Sequence, residues 1–254
     1  MIKKTSHFIF SLTKRLLDLT FPPVCEACGR LLVEGEHIIC THCFVNLQRS
    51  DNQQGNSLEQ KFWGRAPIER AVSISPFMKG SIIQILIHSL KYKNRKEIGF
   101  YLGRILSEIL IQEHIDQDID IIIPIPLHWR RKKKRGYNQS ELIAIGIAEG
   151  LNRHRQNREP VTIETKCAQR MVNTETQTIK NGEERWKNVQ GAFRLKNTEK
   201  LLGKKILFVD DVVTTGSTLI SLLDSLRQLQ GICLYVASAT YVPPSSPIVP
   251  NTSR

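Results

Sequence analysis

Residues 206–218, Ile-Leu-Phe-Val-Asp-Asp-Val-Val-Thr-Thr-Gly-Ser-Thr, constrain this chain more than any other stretch. Four large apolar residues in a row are what a strand buried on both faces needs, and such strands belong to parallel sheets covered by helices. Asp210 and Asp211 follow where the strand should emerge. Small hydroxylated residues and Gly216 come next, then residues 219–223, a helix start with Leu219, Leu222 and Leu223 on one face. A strand, an acidic pair, a small-residue turn and a helix N-terminus together present unpaired backbone N–H groups to an anion. Gly216 lets the chain bend close to it, and Thr214, Thr215, Ser217 and Thr218 add hydroxyl donors. Two carboxylates beside such a cradle repel a bare phosphate but accept from the hydroxyls of a sugar phosphate. An ordinary strand–turn–helix with a Ser/Thr cap has the same composition.

The 254 residues suffice for one larger domain and something small beside it. A net charge of +12 favours anionic partners, phosphorylated metabolites or nucleic acid. Near the start, Lys14-Arg15 interrupts the apolar run after Phe8-Ile9-Phe10-Ser11-Leu12, too early for a signal peptide core or a membrane span. Phe8, Leu12, Leu16 and Leu19 recur at helical spacing and predict a short amphipathic helix. The expectation is a cytoplasmic protein with no membrane partner.

Reduced thiols are the rule in that compartment, so Cys25-x2-Cys28 and Cys40-x2-Cys43 read as two knuckles on one zinc ion, with disulfides the weaker alternative. Four thiolates saturate the ion, which makes the metal structural. His37 and His42 are surplus to that shell. The expected organisation is an N-terminal helix and zinc-ribbon module over 1–48, then a polar, Asn/Gln/Ser-rich linker over 49–60. A main domain follows over 61–244, and a loose Pro/Ser tail over 245–254.

Within the main domain, strands are expected over 71–77, 119–123, 161–163, 167–171 and 232–241. Helices are expected over 81–90, 97–113, 141–151 and 179–187. Pro124-Ile125-Pro126 stops the second strand, and Arg130-Arg131-Lys132-Lys133-Lys134-Arg135 follows as a basic loop. A charge run is ordinarily a solvated face. This one follows the carboxyl end of a buried strand, where open α/β sheets bind ligands. The fold class is therefore α/β, a mostly parallel sheet with helices on both faces.

The stretch 206–218 resembles the phosphoribosyl-pyrophosphate (PRPP) motif of type I phosphoribosyltransferases. Further matches occur in order: Leu90-Lys91-Tyr92, Pro124-Ile125-Pro126-Leu127, Arg135-Gly136-Tyr137-Asn138-Gln139 and Arg185-x2-Asn188-Val189-x-Gly191-Ala192-Phe193. With the four-cysteine module ahead of them, the chain resembles the ComF (competence protein F) family over nearly its whole length. The resemblance implies a zinc ribbon on a type I phosphoribosyltransferase domain that binds PRPP with magnesium, in a family linked to DNA uptake. It implies that Asp210 and Asp211 hold the ribose hydroxyls and act in catalysis, and that Thr214, Thr215, Gly216, Ser217 and Thr218 wrap the 5′-phosphate. Residues 124–128 would be the pyrophosphate loop. Residues 129–139 and 166–193 would form a hood, so that Lys91, Pro124, Ile125, Pro126, Arg135, Gly136, Tyr137, Asn138, Gln139 and Arg185 face pyrophosphate or the hood. Arg170, Gln177, Arg185 and Asn188 also match family positions.

Two functions stay open on these grounds. In the first, phosphoribosyl is transferred to or from a base that no stretch identifies. In the second, the protein is a nucleic-acid-binding accessory of competence that uses PRPP only as an effector. Its cations, with Trp129 and Tyr137 for stacking, would meet single-stranded DNA or a DNA-uptake protein.

Overall fold

The computed structural model describes residues 22–156, 158–171, 193–226 and 228–243, so the predicted N-terminal helix, the helix over 179–187 and the tail lie outside the described residues. The chain divides into two compact units at Leu47/Gln48.

The first unit is small and is built around its cysteines. Cys25 N–H donates to Arg30 O (2.7 Å) and Gly29 N–H to Cys25 O (2.8 Å), closing the first knuckle. Cys40 caps a single helical turn, α1 (Thr41–Val45), whose first N–H and hydroxyl are both held by the Glu36 carboxylate at 2.7 Å.

The second unit is an α/β layer structure. In chain order it contains β1 (Arg70–Pro76), α2 (Ile82–Tyr92), α3 (Glu97–Gln112), β2 (Ile121–Pro124), α4 (Trp129–Arg135) and α5 (Gln139–His154). It continues with β3 (Thr162–Ile163), β4 (Ala168–Arg170), β5 (Phe193–Leu195), β6 (Lys205–Val213), α6 (Ser217–Leu226) and β7 (Cys233–Tyr241). Five strands form one all-parallel sheet in the order β1-β7-β6-β2-β3, and β4 pairs antiparallel with β5. Alternation along the strands sends Ile121, Ile123, Ile206, Phe208, Leu234 and Val236 into a core with Leu219, Leu222 and Leu223 of α6. The intervening residues, among them Ile122, Leu207 and Tyr235, meet α3 and α5 on the other face.

Helices α3 and α5 cross nearly backbone to backbone. A Cβ on Gly103 would lie 2.2 Å from Ile143 O, and one on Gly146 would lie 2.3 Å from Phe100 O. Only glycine permits that approach. It matters for the site because α5 carries Asn138 and Ser140 at its start.

Two expectations are corrected. Residues 50–59, expected within a linker, are folded against β1, the open edge of the sheet. Ser50 N–H donates to Ile74 O (3.0 Å), and the Asn52 amide both donates to Ser73 O (3.0 Å) and accepts from Ser73 N–H (2.8 Å). Asn56 Nδ2 donates to Ala71 O (2.8 Å), and Glu59 Oε1 accepts from Ala71 N–H (3.0 Å). Side-chain amides and a carboxylate thus satisfy the edge that another strand would otherwise pair with. The polar composition that suggested a linker is edge-covering chemistry. The second correction concerns 130–135, expected as a loop, which is the helix α4. His128 Nδ1 accepts from Arg130 N–H (3.3 Å) at its start, and Gly136 ends it in the left-handed region. Arg and Lys are good helix formers, and cations in the last turn answer the helix dipole.

Candidate functional site

β6 runs further than its four apolar residues suggested. Asp210 pairs with Ser238 and Val213 with Tyr241, so the acidic pair sits inside the strand near its carboxyl end. Asp211 Oδ2 lies 2.9 Å from Lys91 Nζ at the end of α2. Asp210 Oδ1 accepts from Asp211 N–H (2.9 Å) and from the Ser140 hydroxyl (3.3 Å). Burial, then the Asp211 charge, push the Asp210 carboxyl up to about 7, with Lys91 and the two hydrogen bonds opposing them. This acid is poised to change charge near neutrality.

The chain then turns through residues 214–216 into α6. Gly216 has φ +76. A Cβ there would meet the Phe62 ring at 3.5 Å and Ile220 at 3.6 Å, so it would face the core and not an anion in the turn. The positive backbone angle by itself calls for glycine at this position. Thr215 Oγ1 and Ser217 Oγ are 3.0 Å apart, and Ser217 N–H reaches Thr215 Oγ1 at 3.4 Å. The N–H groups of Thr215, Gly216 and Thr218 make no hydrogen bond among the described residues. Free N–H groups at the mouth of a ten-residue helix are chemically able to receive an anion.

Around this end of the sheet, Pro124 closes β2 opposite Val209, and Ile125 N–H donates to Val209 O (2.8 Å). Asn138 Nδ2 donates to Ile125 O (3.0 Å) while its Oδ1 caps α5 by accepting from Ser140 N–H (3.2 Å). That one side chain ties the 124–128 segment to the helix that carries Ser140. Pro126 is partly exposed beside it. Arg135 Nη1 donates to Gln139 Oε1 (3.1 Å) and lies over the Tyr92 ring at 5.5 Å. Gln139 Nε2 is buried with no hydrogen-bond partner among the described residues, an arrangement native proteins keep for a ligand or water. Tyr137, expected to stack on a nucleobase, is 7% exposed, and its hydroxyl donates to Leu90 O. Among the described residues the exposed aromatics include Tyr92 (67%), Trp129 (59%) and Trp63 (58%). Arg185 and Asn188 lie outside the described residues. Arg170 in β4 is close enough for Asp210 to oppose the lowering of its pKa, which burial and Arg131 cause.

In the first unit, the sulfurs of Cys25, Cys28, Cys40 and Cys43 lie within 4.8 Å of one another, and Cys28 and Cys40 are 3.7 Å apart. Four sulfurs about 2.3 Å from one tetrahedral ion are about 3.8 Å apart, so the donor set fits a metal. All four are free thiols. Burial raises Cys25, but backbone donors from Cys40, Cys28 and Ala27 outweigh it and bring the thiol down to about 6; burial and the neighbouring thiols push Cys43 up. Four crowded thiols cannot all ionise without a cation between them. His37 and His42 are outside the cluster.

A phosphoribosyl transferase domain model matches residues 92–244, the span that holds both the acidic pair and the turn. The chain belongs to the phosphoribosyltransferase family. It is 31% identical to DNA utilization protein YhgH of Escherichia coli (strain K12), over 77% of this chain and 80% of that protein. It is 28% identical to Competence protein F of Haemophilus influenzae, over 81% and 85% of the two chains. Competence protein ComFC of Bacillus subtilis is 25% identical over 86% of this chain and 77% of its own. The expected resemblance to competence protein F holds over most of the length. No helix among the described residues is long and apolar enough to cross a membrane.

Proposed function

We propose that this protein binds PRPP at the carboxyl end of β6 and acts as a phosphoribosyltransferase. One observation carries the reading: a lysine-balanced carboxylate pair stands next to a turn whose backbone N–H groups are unsatisfied. Asp210 and Asp211 accept from the ribose 2′- and 3′-hydroxyls, and the 214–218 turn receives the 5′-phosphate. The pyrophosphate end lies toward the 124–128 segment and α4, where the cations are. Magnesium would arrive with PRPP and neutralise its pyrophosphate. As positive charge develops on the ribose, a carboxylate at this position stabilises it electrostatically. The buried Gln139 amide and Arg170 supply donors within the same enclosure. Lys91, expected at the pyrophosphate, acts in this reading through Asp211.

Titration calorimetry with magnesium-PRPP tests it, with about one site per chain expected. Absence of heat from PRPP, with ribose 5-phosphate also silent, overturns it.

The exposed aromatic and cationic surface of α4 supports a second reading, single-strand nucleic-acid binding. Arg130 lies 5.3 Å over the Trp129 ring, and Arg135 covers Tyr92. The names of the relatives, one for DNA utilization and two for competence, agree with either reading. The four cysteines hold a structural zinc ion, and the protein works in the cytoplasm, where such thiols stay reduced. Elemental analysis should find about one zinc per chain. Cys28→Ser should lose it and destabilise the first unit while PRPP binding persists.

A further inference from the structure

We infer that Arg65, supported by Phe62 and Lys61, is a positioning residue for the phosphate-binding turn, selecting a ligand with a terminal phosphomonoester. The inference rests on the reading of residues 214–218 as the 5′-phosphate site and deepens it. These three residues stand outside every recognisable motif and outside the span matched by the family model.

Residues 59–66 form a tight support. Glu59–Lys61 is a single 3-10 turn, and both Arg65 N–H and Ala66 N–H donate to Phe62 O at 2.9 Å. The Phe62 ring, fully buried, lies where a Cβ of Gly216 would point. Arg65 Nη1 donates to Thr215 O at 3.3 Å and to Lys61 O at 3.4 Å.

The consequence follows from peptide geometry. In a planar trans peptide the carbonyl and the next N–H point in opposite directions, and the described chain holds no cis bond. Fixing the Thr215 carbonyl against Arg65 therefore turns the Gly216 N–H away from residues 59–66, toward the open side of the turn. That N–H is among those without a partner. The buried Phe62 ring fills the space a side chain at 216 would point into, and with the Arg65 contact the orientation is set before any ligand arrives, which is how an anion site avoids a reorganisation cost.

Charge points the same way. Lys61 is partly buried and its ammonium makes no hydrogen bond or ion pair among the described residues. Burial first, and then the Arg65 charge, lower its pKa. The positive potential of Lys61 and Arg65 behind the turn reinforces the partial positive charge that the Gly216 N–H presents on its open side, which favours a dianion there, as a phosphomonoester is near neutral pH.

The test compares Arg65→Met, Arg65→Lys and Lys61→Met with the wild type. Calorimetry measures ribose 5-phosphate and inorganic pyrophosphate separately. Arg65→Met should weaken ribose 5-phosphate about tenfold and leave pyrophosphate within about twofold. Arg65→Lys, which keeps a donor for the Thr215 carbonyl, should recover most of the loss. Lys61→Met should cost ribose 5-phosphate about threefold. Equal loss of both ligands in Arg65→Met would mean a general structural role and overturns the inference. So does unchanged ribose 5-phosphate affinity in Arg65→Met when Asp210→Asn/Asp211→Asn still loses PRPP; in that case the functional reading survives alone. A wild type that binds neither ribose 5-phosphate nor PRPP removes both.

Discussion

The acidic end of β6 and the cationic helix α4 both follow the carboxyl ends of the parallel strands and could hardly be built more differently. Asp210 and Asp211 sit within β6 where it is still paired with β7, each oxygen contact coming from a different element: Ser140 on α5, Lys91 on α2, the backbone of β6 itself. No residue of α4 is buried, and the ion pair from Lys132 to Glu141 on α5 is 3.5 Å long. The first region is pre-organised, so its chemistry depends on geometry. The second offers charge at an exposed surface, where single contacts contribute little and screening by salt is strong. A ligand with a sugar phosphate at one end and pyrophosphate at the other needs both kinds.

The largest effect should come from removing the charge at the pre-organised end. Asp210→Asn/Asp211→Asn forfeits two charge-assisted acceptors, each contributing about 1.5–3 kcal/mol. PRPP affinity should fall by roughly two to four powers of ten. Wild-type affinity in this variant would reduce β6 to a structural strand and erase the contrast.

Next comes a change that should strike both regions at once. Gly103→Val would drive a side chain into Ile143 O on α5, which a backbone atom cannot yield to cheaply. The cost should be about 3 kcal/mol, a drop of roughly 10 °C in melting temperature. Because α5 carries Ser140 and its Asn138 cap holds Ile125, PRPP binding should weaken together with stability. A variant as stable as the wild type would show that the helices part easily and that the site is not held by their crossing.

What could be read from the sequence follows the same division. The apolar run over 206–209, the helix faces over 82–90 and the paired cysteines each carry a periodicity or spacing that burial or coordination imposes, and those elements stand where expected. Asp210 and Asp211 could be named but not placed: that β6 continues through them depends on its pairing with Ser238 and Thr240, more than 25 positions away. The Asn52 and Asn56 contacts with β1 look like loop composition, because an amide serving a sheet edge and an amide serving water have the same local sequence. Cations at 130–135 announced a sign and no conformation. The helix there depends on a histidine cap and a left-handed Gly136. Gly103 and Gly146 carry no local turn signal; a pair of glycines on separate helices becomes informative only when the helices are known to cross. Arg65 lies 150 positions from the carbonyl it holds, so nothing local could have found it.

The pre-organised end also carries a stability cost that pH should expose. Asp210 ionises at about 7 in the folded protein against an ordinary value of 3.8. A raised carboxyl keeps its proton in the folded state after the unfolded chain has lost it. Stability therefore falls as pH climbs between those two values and levels off above about 7. Asp210→Asn has no proton to lose. It should match the wild type near pH 4 and be more stable at pH 8, by on the order of 1–3 kcal/mol. A stability difference that does not change with pH would mean the carboxyl is ordinary and the site more open to water than its contacts indicate.

The smallest effect should come from the exposed region. Lys132→Ala/Lys133→Ala/Lys134→Ala removes three cations from α4 without touching its His128 cap or Gly136. Alanine is the best helix former, and relief of like-charge crowding offsets the lost dipole interaction, so the melting temperature should stay within a degree or two. Exposed charges of this kind contribute about 0.2–1 kcal/mol each, which predicts roughly tenfold weaker pyrophosphate binding. If the surface also holds single-stranded DNA, the slope of log affinity against log salt should become shallower by about 2, since each phosphate contact contributes about 0.7. Ribose 5-phosphate, which reaches only the β6 end, should bind as before. A variant that loses ribose 5-phosphate as well would show the two regions to be one continuous site; one that unfolds would make α4 a structural helix, and its charge incidental to binding.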